Sequence, residues 1–312
     1  MMKSIQKITL LLAVISSMQL MAQSQSELIG RWDLTLSSGD QELPGWMEVE
    51  FSGNSTLVGR FMNVVGSARP IAEVIEDENL FSFSIPAQWI GTQDLVVKGT
   101  RDGDRLSGHL LTPTGDAMSF TGVRAPVLFR EAPKKWTKPV ALFNGKDLSG
   151  WKAQNNPSKN QWEAVDGVLS SPRSGVNLMT EKTYDDFKLH IEFKYPEHSN
   201  SGIFLRGRYE VQVEDDYGKH TNSHYIGGVY GLLEPNQNAG KPAGEWQTYD
   251  ITLVGRTVSV VLNGKEVISN ALIAGITGGA LDSDEAAPGP ILLQGDHGPI
   301  QYRNITISVP KE

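Results

Sequence analysis

Hydrophobic and polar positions alternate with period two along most of this chain, the signature of strands that bury one face and expose the other. The pattern is clearest between Phe187 and Asp216. In a first run, Phe187, Leu189, Ile191, Phe193 and Tyr195 fall on one face, and Lys188, His190, Glu192 and Lys194 on the other. In a second, Ile203, Leu205, Tyr209, Val211 and Val213 oppose Arg206, Arg208, Glu210, Gln212 and Glu214. This polar row of guanidinium groups, carboxylates and an amide is richer in charge than an ordinary strand face. If both runs share a sheet, His190 and Glu192 join the row. The competing explanation is a solvated face laced with cross-strand ion pairs, each worth about 0.2–1 kcal/mol.

Upstream, from residue 27 to 124, short β-like runs (LIGRWDLTL, GWMEVEF, TLVGRFM, NLFSFSI, DLVVKGT, DRLSGHLL, AMSFTGV) are separated by turn signals. Their spacing predicts a small antiparallel β-barrel or sandwich, with Trp32 of the GRW triplet in its core. Residues 125–139, with three prolines and no clean periodicity, read as a linker. The rest, 140–312, lacks helical periodicity and predicts an all-β sandwich of two sheets. Asn263-Gly264 and Asp166-Gly167 mark two hairpin turns, because both positions of each pair tolerate positive φ.

The N-terminus places Lys3 and Lys7 before an apolar stretch from Ile8 to Ile15 and a small residue, Ala22. That layout predicts a cleaved signal peptide over residues 1–22, hence a soluble periplasmic or secreted protein, and the apolar run is too short to span a bilayer. The 312 residues carry a net charge of −8 and no cysteine. Disulfides and thiol nucleophiles are thereby excluded, and a nucleic-acid partner is disfavoured, since phosphate binding needs a basic face.

Several blocks of the second domain resemble the 3-keto-disaccharide hydrolase family: LFNGKDLSGW, NSGIFLR, YEVQVED, EWQTYDITLVG, VLNGK and LQGDHG followed by YRNI. The resemblance runs through nearly all of 140–309 and implies a concanavalin A-like jelly-roll β-sandwich. It also implies action on glycosides whose C3 hydroxyl a partner dehydrogenase has already oxidised to a ketone. Such a ketone acidifies the hydrogen on C2; a base removes it, an enolate forms and the group on C1 is expelled, with water adding back in net hydrolysis. The site then needs a general base, an electrophile for the enolate oxygen and an acid for the leaving group.

Glu210 is the first candidate for the catalytic carboxylate, with Glu192 and Glu214 behind it, and His297, on the glycine-flanked LQGDHG loop, is a second catalytic candidate. Arg206, Gln212, Gln294, Asp215, His224 and Trp151 are candidates for substrate binding. A divalent metal ion is left open: His220 and His224 follow Glu214-Asp215-Asp216, but a four-residue spacing means little outside a helix. Two other functions compete. A laminarinase-like retaining glycosidase would use Glu210 and Glu214, yet residues four apart on a regular strand lie about 13 Å apart, whereas retaining carboxyl groups need about 5–5.5 Å. A non-catalytic carbohydrate-binding module would present Trp151, Trp162 or Trp246 to a sugar face.

Overall fold

The computed structural model describes residues 26–63, 66–88 and 90–311, so the signal-peptide expectation falls outside the described residues. Strands β1 (Gly30–Ser38), β2 (Gln41–Ser52), β3 (Thr56–Asn63), β4 (Arg69–Ile71), β5 (Ile75–Asp77), β6 (Leu80–Ile85), β7 (Leu95–Asp102), β8 (Arg105–Leu111) and β9 (Ala117–Arg124) form one nine-stranded sheet. Apart from β4 and β5, neighbours in sequence pair antiparallel, and β1 also pairs with β9, so the sheet curls round with β4 and β5 at its two ends. Alternate residues fill the inside: Leu34, Val49, Phe61, Phe83, Val97 and Phe120 are all buried. Trp32 is fully buried there, its indole N–H donating to the Leu28 carbonyl at 2.8 Å, with the Arg124 guanidinium 3.7 Å from its ring centroid.

The second half contains β10 (Val140–Ala141), β11 (Trp151–Ala153), β12 (Glu163–Val165), β13 (Val168–Ser171), β14 (Leu178–Thr180), β15 (Phe187–Lys194), β16 (Asn200–Leu205), β17 (Tyr209–Glu214), β18 (Gln247–Val254), β19 (Thr257–Leu262), β20 (Lys265–Leu272), β21 (Leu292–Leu293) and β22 (Ile300–Ser308). One sheet runs β12-β13-β22-β15-β18-β19-β20 with β10 beside β22; the other, five-stranded, runs β11-β14-β21-β16-β17. Their facing sides share one core, in which Phe187, Leu189, Ile191 and Phe193 from one sheet meet Ile203, Leu205, Val211, Val213 and Leu293 from the other. The Asn263-Gly264 pair has φ of 52° and 77° and joins β19 to β20; Asp166-Gly167, at 50° and 79°, joins β12 to β13.

Two details of the central stretch differ from its sequence pattern. β15 lies in the larger sheet and β16–β17 in the smaller, so the two alternating runs do not share a polar row. The second run is itself a hairpin: Arg206 (φ 54°) and Gly207 (φ 67°) turn the chain, and the Arg208 N–H donates to the Leu205 carbonyl at 3.0 Å. Positive φ at both positions lets the chain reverse within the three residues 206–208, between the paired Leu205 and Tyr209.

The curled nine-stranded sheet, a barrel left open between β4 and β5, docks on the sandwich through Trp46, which is buried in the sandwich core, faces Gly275 and donates its indole N–H to the Ile276 carbonyl at 2.9 Å. Arg31 reaches across to pair with the buried Glu285 and to bond the Ala274 carbonyl. The 125–139 segment lies against the same sandwich: Leu128 is buried, its carbonyl accepts from the Arg256 N–H at 3.1 Å, and the Thr137 N–H donates to the Val309 carbonyl at 2.9 Å. Among the described residues no helix is long and apolar enough to cross a membrane.

Candidate active site

The outward side of the five-stranded sheet carries the polar residues of β17. Tyr209, Val211 and Val213 face the core, so alternation turns Glu210, Gln212 and Glu214 the other way. Register places Phe204 and Leu292 level with Glu210, and Gly202 level with Gln212. The Gln294 N–H donates to the Gly202 carbonyl at 2.9 Å, bringing Gln294 to the far side of Gly202. Gly202 is thus a bare patch of backbone among Glu210, Gln212 and Gln294. A Cβ there would lie 2.1 Å from Glu210 Oε1, so the carboxyl rests directly over the glycine. The open edge of β17 is covered by the following loop, in which the Tyr230 N–H donates to the Glu210 carbonyl at 3.0 Å and the Gln212 N–H donates to the Gly228 carbonyl at 2.9 Å.

Glu210 is only 4% exposed, and among the described residues no group hydrogen-bonds its carboxyl. Burial, reinforced by the negative charges of Asp296 and Glu214, pushes its pKa up to about 8. Gln294 Oε1 is likewise buried without a partner, an acceptor aimed at nothing in the protein. Beside them the His297 ring pairs with Asp296 at 2.7 Å; this contact raises the His297 pKa and lowers that of Asp296, favouring an imidazolium–carboxylate pair. Burial lifts the Tyr230 hydroxyl above its ordinary pKa, and the nearby Glu210 adds to the shift.

Other residues suggested by the sequence lie elsewhere or are already engaged. Glu192 is on the outer face of the opposite sheet, where Arg303 Nε and Asn304 Nδ2 each donate to it at 2.6 Å. Burial there is outweighed by these bonds and by the Arg303 charge, and its pKa is lowered. It is therefore not a partner of Glu210. Arg206 corrects a second expectation: it is fully buried at the hairpin turn, its guanidinium donating to Gly255 O at 2.8 Å and to Tyr209 Oη and Asp185 Oδ1 at 3.1 Å. It holds the turn rather than a substrate. Trp151 is likewise core, 5% exposed, with its indole N–H on the Leu142 carbonyl at 2.8 Å.

The Gln212 amide donates to the His224 carbonyl at 3.0 Å, and its oxygen accepts the Val213 N–H at 3.1 Å. Asp215 accepts the His198 N–H at 2.9 Å. His224 donates from Nδ1 to Asn222 Oδ1 at 3.0 Å and accepts at Nε2 from Ser67, a tautomer assigned from its partners, and burial lowers its pKa. Among the described residues no three His, Asp or Glu side chains gather closely enough to hold a metal ion. Gly202, Asp296 and Tyr230 were not singled out in the sequence. Asp296 adjoins His297 in the LQGDHG block, whereas Tyr230 gave no local signal because a loop crossing brings it to Glu210.

The two-sheet sandwich, with its desolvated acid on one outward sheet face, is by its family match a carbohydrate-active, glycosyl-hydrolase-like domain. The chain belongs to the family described as the 3-keto-alpha-glucoside-1,2-lyase-like domain, whose model matches residues 138–308. Among solved structures it is similar to a candidate glycosyl hydrolase from Parabacteroides distasonis ATCC 8503, at 32% identity over 57% of this chain and 92% of that one, with a TM-score of 0.48. A second candidate glycosyl hydrolase from that organism matches at 28% identity over 56% and 98% of the two chains, with a TM-score of 0.42. A laminarinase from Flavobacterium sp. UMI-01 matches at 10% identity over 57% and 100%, with a TM-score of 0.37. No curated protein matches the chain.

Proposed function

We propose that the outward face of the five-stranded sheet cleaves 3-keto-glycosides by elimination across C1 and C2. Glu210, ionised, takes the proton from C2; the C–H electron pair forms the C2=C3 bond of an enolate whose oxygen is the former C3 carbonyl. The enolate then collapses, restoring the carbonyl, forming C1=C2 and breaking the bond from C1 to the leaving-group oxygen, which departs as an alcohol after protonation. Water adding back to C1=C2 gives net hydrolysis. His297, kept cationic by Asp296, supplies positive charge to the enolate or the proton to the leaving group, and the free carbonyl of Gln294 accepts a sugar hydroxyl.

The observation that carries this reading is the buried, unbonded carboxyl of Glu210 over Gly202, raised to about pKa 8. A base close to neutrality is what abstraction from a weak carbon acid calls for. The family match supplies the substrate class. On this reading a sugar C3 dehydrogenase supplies the substrate, in a periplasmic or secreted setting. The test is release of aglycone from a chromogenic 3-keto-glucoside and from its unoxidised parent, with and without a chelator, by wild type and Glu210→Gln. Release from the keto form alone, lost in the variant, is expected, and the chelator lanes report any metal requirement. Equal release from both forms would point to an ordinary glycosidase, and release from neither to a binding module.

A further inference from the structure

An open pocket of about 580 Å³ on the N-terminal sheet is lined mainly by Phe61, Ile85, Ile90, Leu95 and Pro113, and His224 of the sandwich closes one side. This falls in the size range of small-molecule sites, and most of its wall is apolar. Its link to Glu210 is short. His224 lines the pocket with its ring, while its own carbonyl accepts from Gln212 on the floor of the site. The same ring stands edge-on to Tyr230, 4.8 Å between centroids, and Tyr230 is the residue whose hydroxyl feels the charge of Glu210. Ser67 fixes the barrel side of this junction by bonding His224 Nε2 and packing on Gly231. His224 therefore bounds the pocket on one side and, with Tyr230, flanks the surroundings of Glu210 on the other.

We infer that this pocket is the leaving-group subsite of the enzyme, and that it takes a planar, apolar aglycone. The proposal rests on the elimination reading above, since it places the group expelled from C1 over the His224–Tyr230 wall and the keto-sugar over Gly202. The mostly apolar wall favours an aromatic ring over a second sugar, most of whose hydroxyls would lose water there, while the few polar groups, Asn63, Ser67 and Gln88, can meet a substituent on the ring. Arg69, the one cation on the pocket wall among the described residues, already donates to the Pro86 carbonyl at 3.1 Å. The barrel, on this view, selects the aglycone while the sandwich performs the chemistry.

Ile90 is 71% exposed at the rim, so it can be changed without opening the barrel core. The experiment compares wild type, Ile90→Asp and Ile90→Leu on 4-nitrophenyl 3-keto-glucoside and on methyl 3-keto-glucoside, and in parallel titrates unoxidised 4-nitrophenyl glucoside by intrinsic tryptophan fluorescence. The expected result is a roughly tenfold loss of kcat/KM in Ile90→Asp for the nitrophenyl substrate, carried by KM, with the methyl substrate unchanged and Ile90→Leu like wild type. An equal effect on both substrates, or on neither, overturns the assignment. Cleavage of neither substrate overturns the elimination reading and the leaving-group role together, and the titration then judges the pocket alone. Saturable binding weakened about tenfold by Ile90→Asp supports an aromatic site there, and no saturable binding refutes it.

Discussion

Replacing Gly202 by alanine tests whether the position of one carboxyl governs the reaction. The added Cβ would lie 2.1 Å from Glu210 Oε1 and 2.8 Å from its Cδ and Cγ. Ordinary contact is about 3.5 Å, so the carboxyl must retreat by about 1.4 Å. Gly202 is in the middle of β16 with no positive φ, so alanine fits its backbone. The folded state loses about 0.5–1.5 kcal/mol to a displaced Glu210 rotamer and regains about 0.5–1 kcal/mol, because alanine has less chain entropy to lose than glycine. Stability should therefore move by less than about 1 kcal/mol, a few degrees in Tm for a domain of this size. Activity should not be spared. A misplacement of about 1 Å at the reacting centre costs about 10²-fold, or roughly 2.7 kcal/mol of barrier. The assay is kcat/KM on a 3-keto-glucoside beside a thermal melt. Gly202→Ala with an intact melt and wild-type kcat/KM would show that Glu210 is not the base.

Because Glu210 must be ionised to act, kcat/KM should climb with pH toward about 8, and a pH profile flat from 6 to 9 would count against it. The same raised pKa means the folded chain binds that proton more tightly than the unfolded one. The stability is fully present below about pH 4.5 and is lost as pH rises to about 8, on the order of 5 kcal/mol in all. Buried Asp33, pushed up to about 6, adds loss of the same sign between about pH 4 and 6. Urea titrations of wild type and Glu210→Gln across this range should show the variant with the flatter curve. Arg206→Ala should cost about 1–3 kcal/mol by leaving the buried Gly255 carbonyl without its donor, and urea unfolding showing no loss would revive a surface role for it. Trp46→Ala should cost about 3–5 kcal/mol by removing the indole that seats the barrel on the sandwich. Limited proteolysis should then cut near residues 125–139 faster than in wild type; an unchanged pattern would mean the docking does not depend on it.

Local chemistry determined much of this protein directly from its sequence. Period-two alternation identified strands on both halves, the Asn-Gly and Asp-Gly pairs identified hairpins through their tolerance of positive φ, and Trp32 was recognisable as core. Glu210 was legible for the same reason: on a strand, a polar residue flanked by Tyr209 and Val211 must face away from the core. Alternation cannot say which sheet a strand joins. Glu192 and Glu210 carry the same local signature, and only the tertiary pairing of β15 with β18 and β22 sends Glu192 to the far side of the molecule. Nor does period two separate one long strand from a hairpin when the turn is Arg-Gly; Arg206 reads as an outward cation until burial and three hydrogen-bond partners show it to be a clamp. The approach of Tyr230 and His224 to Glu210, the desolvation that lifts its pKa, and the seating of the barrel at the site are properties of segments far apart in sequence. Chain neighbours fix which way a side chain points, whereas solvent exclusion and charge neighbours are fixed only once the sheets and loops have closed around it.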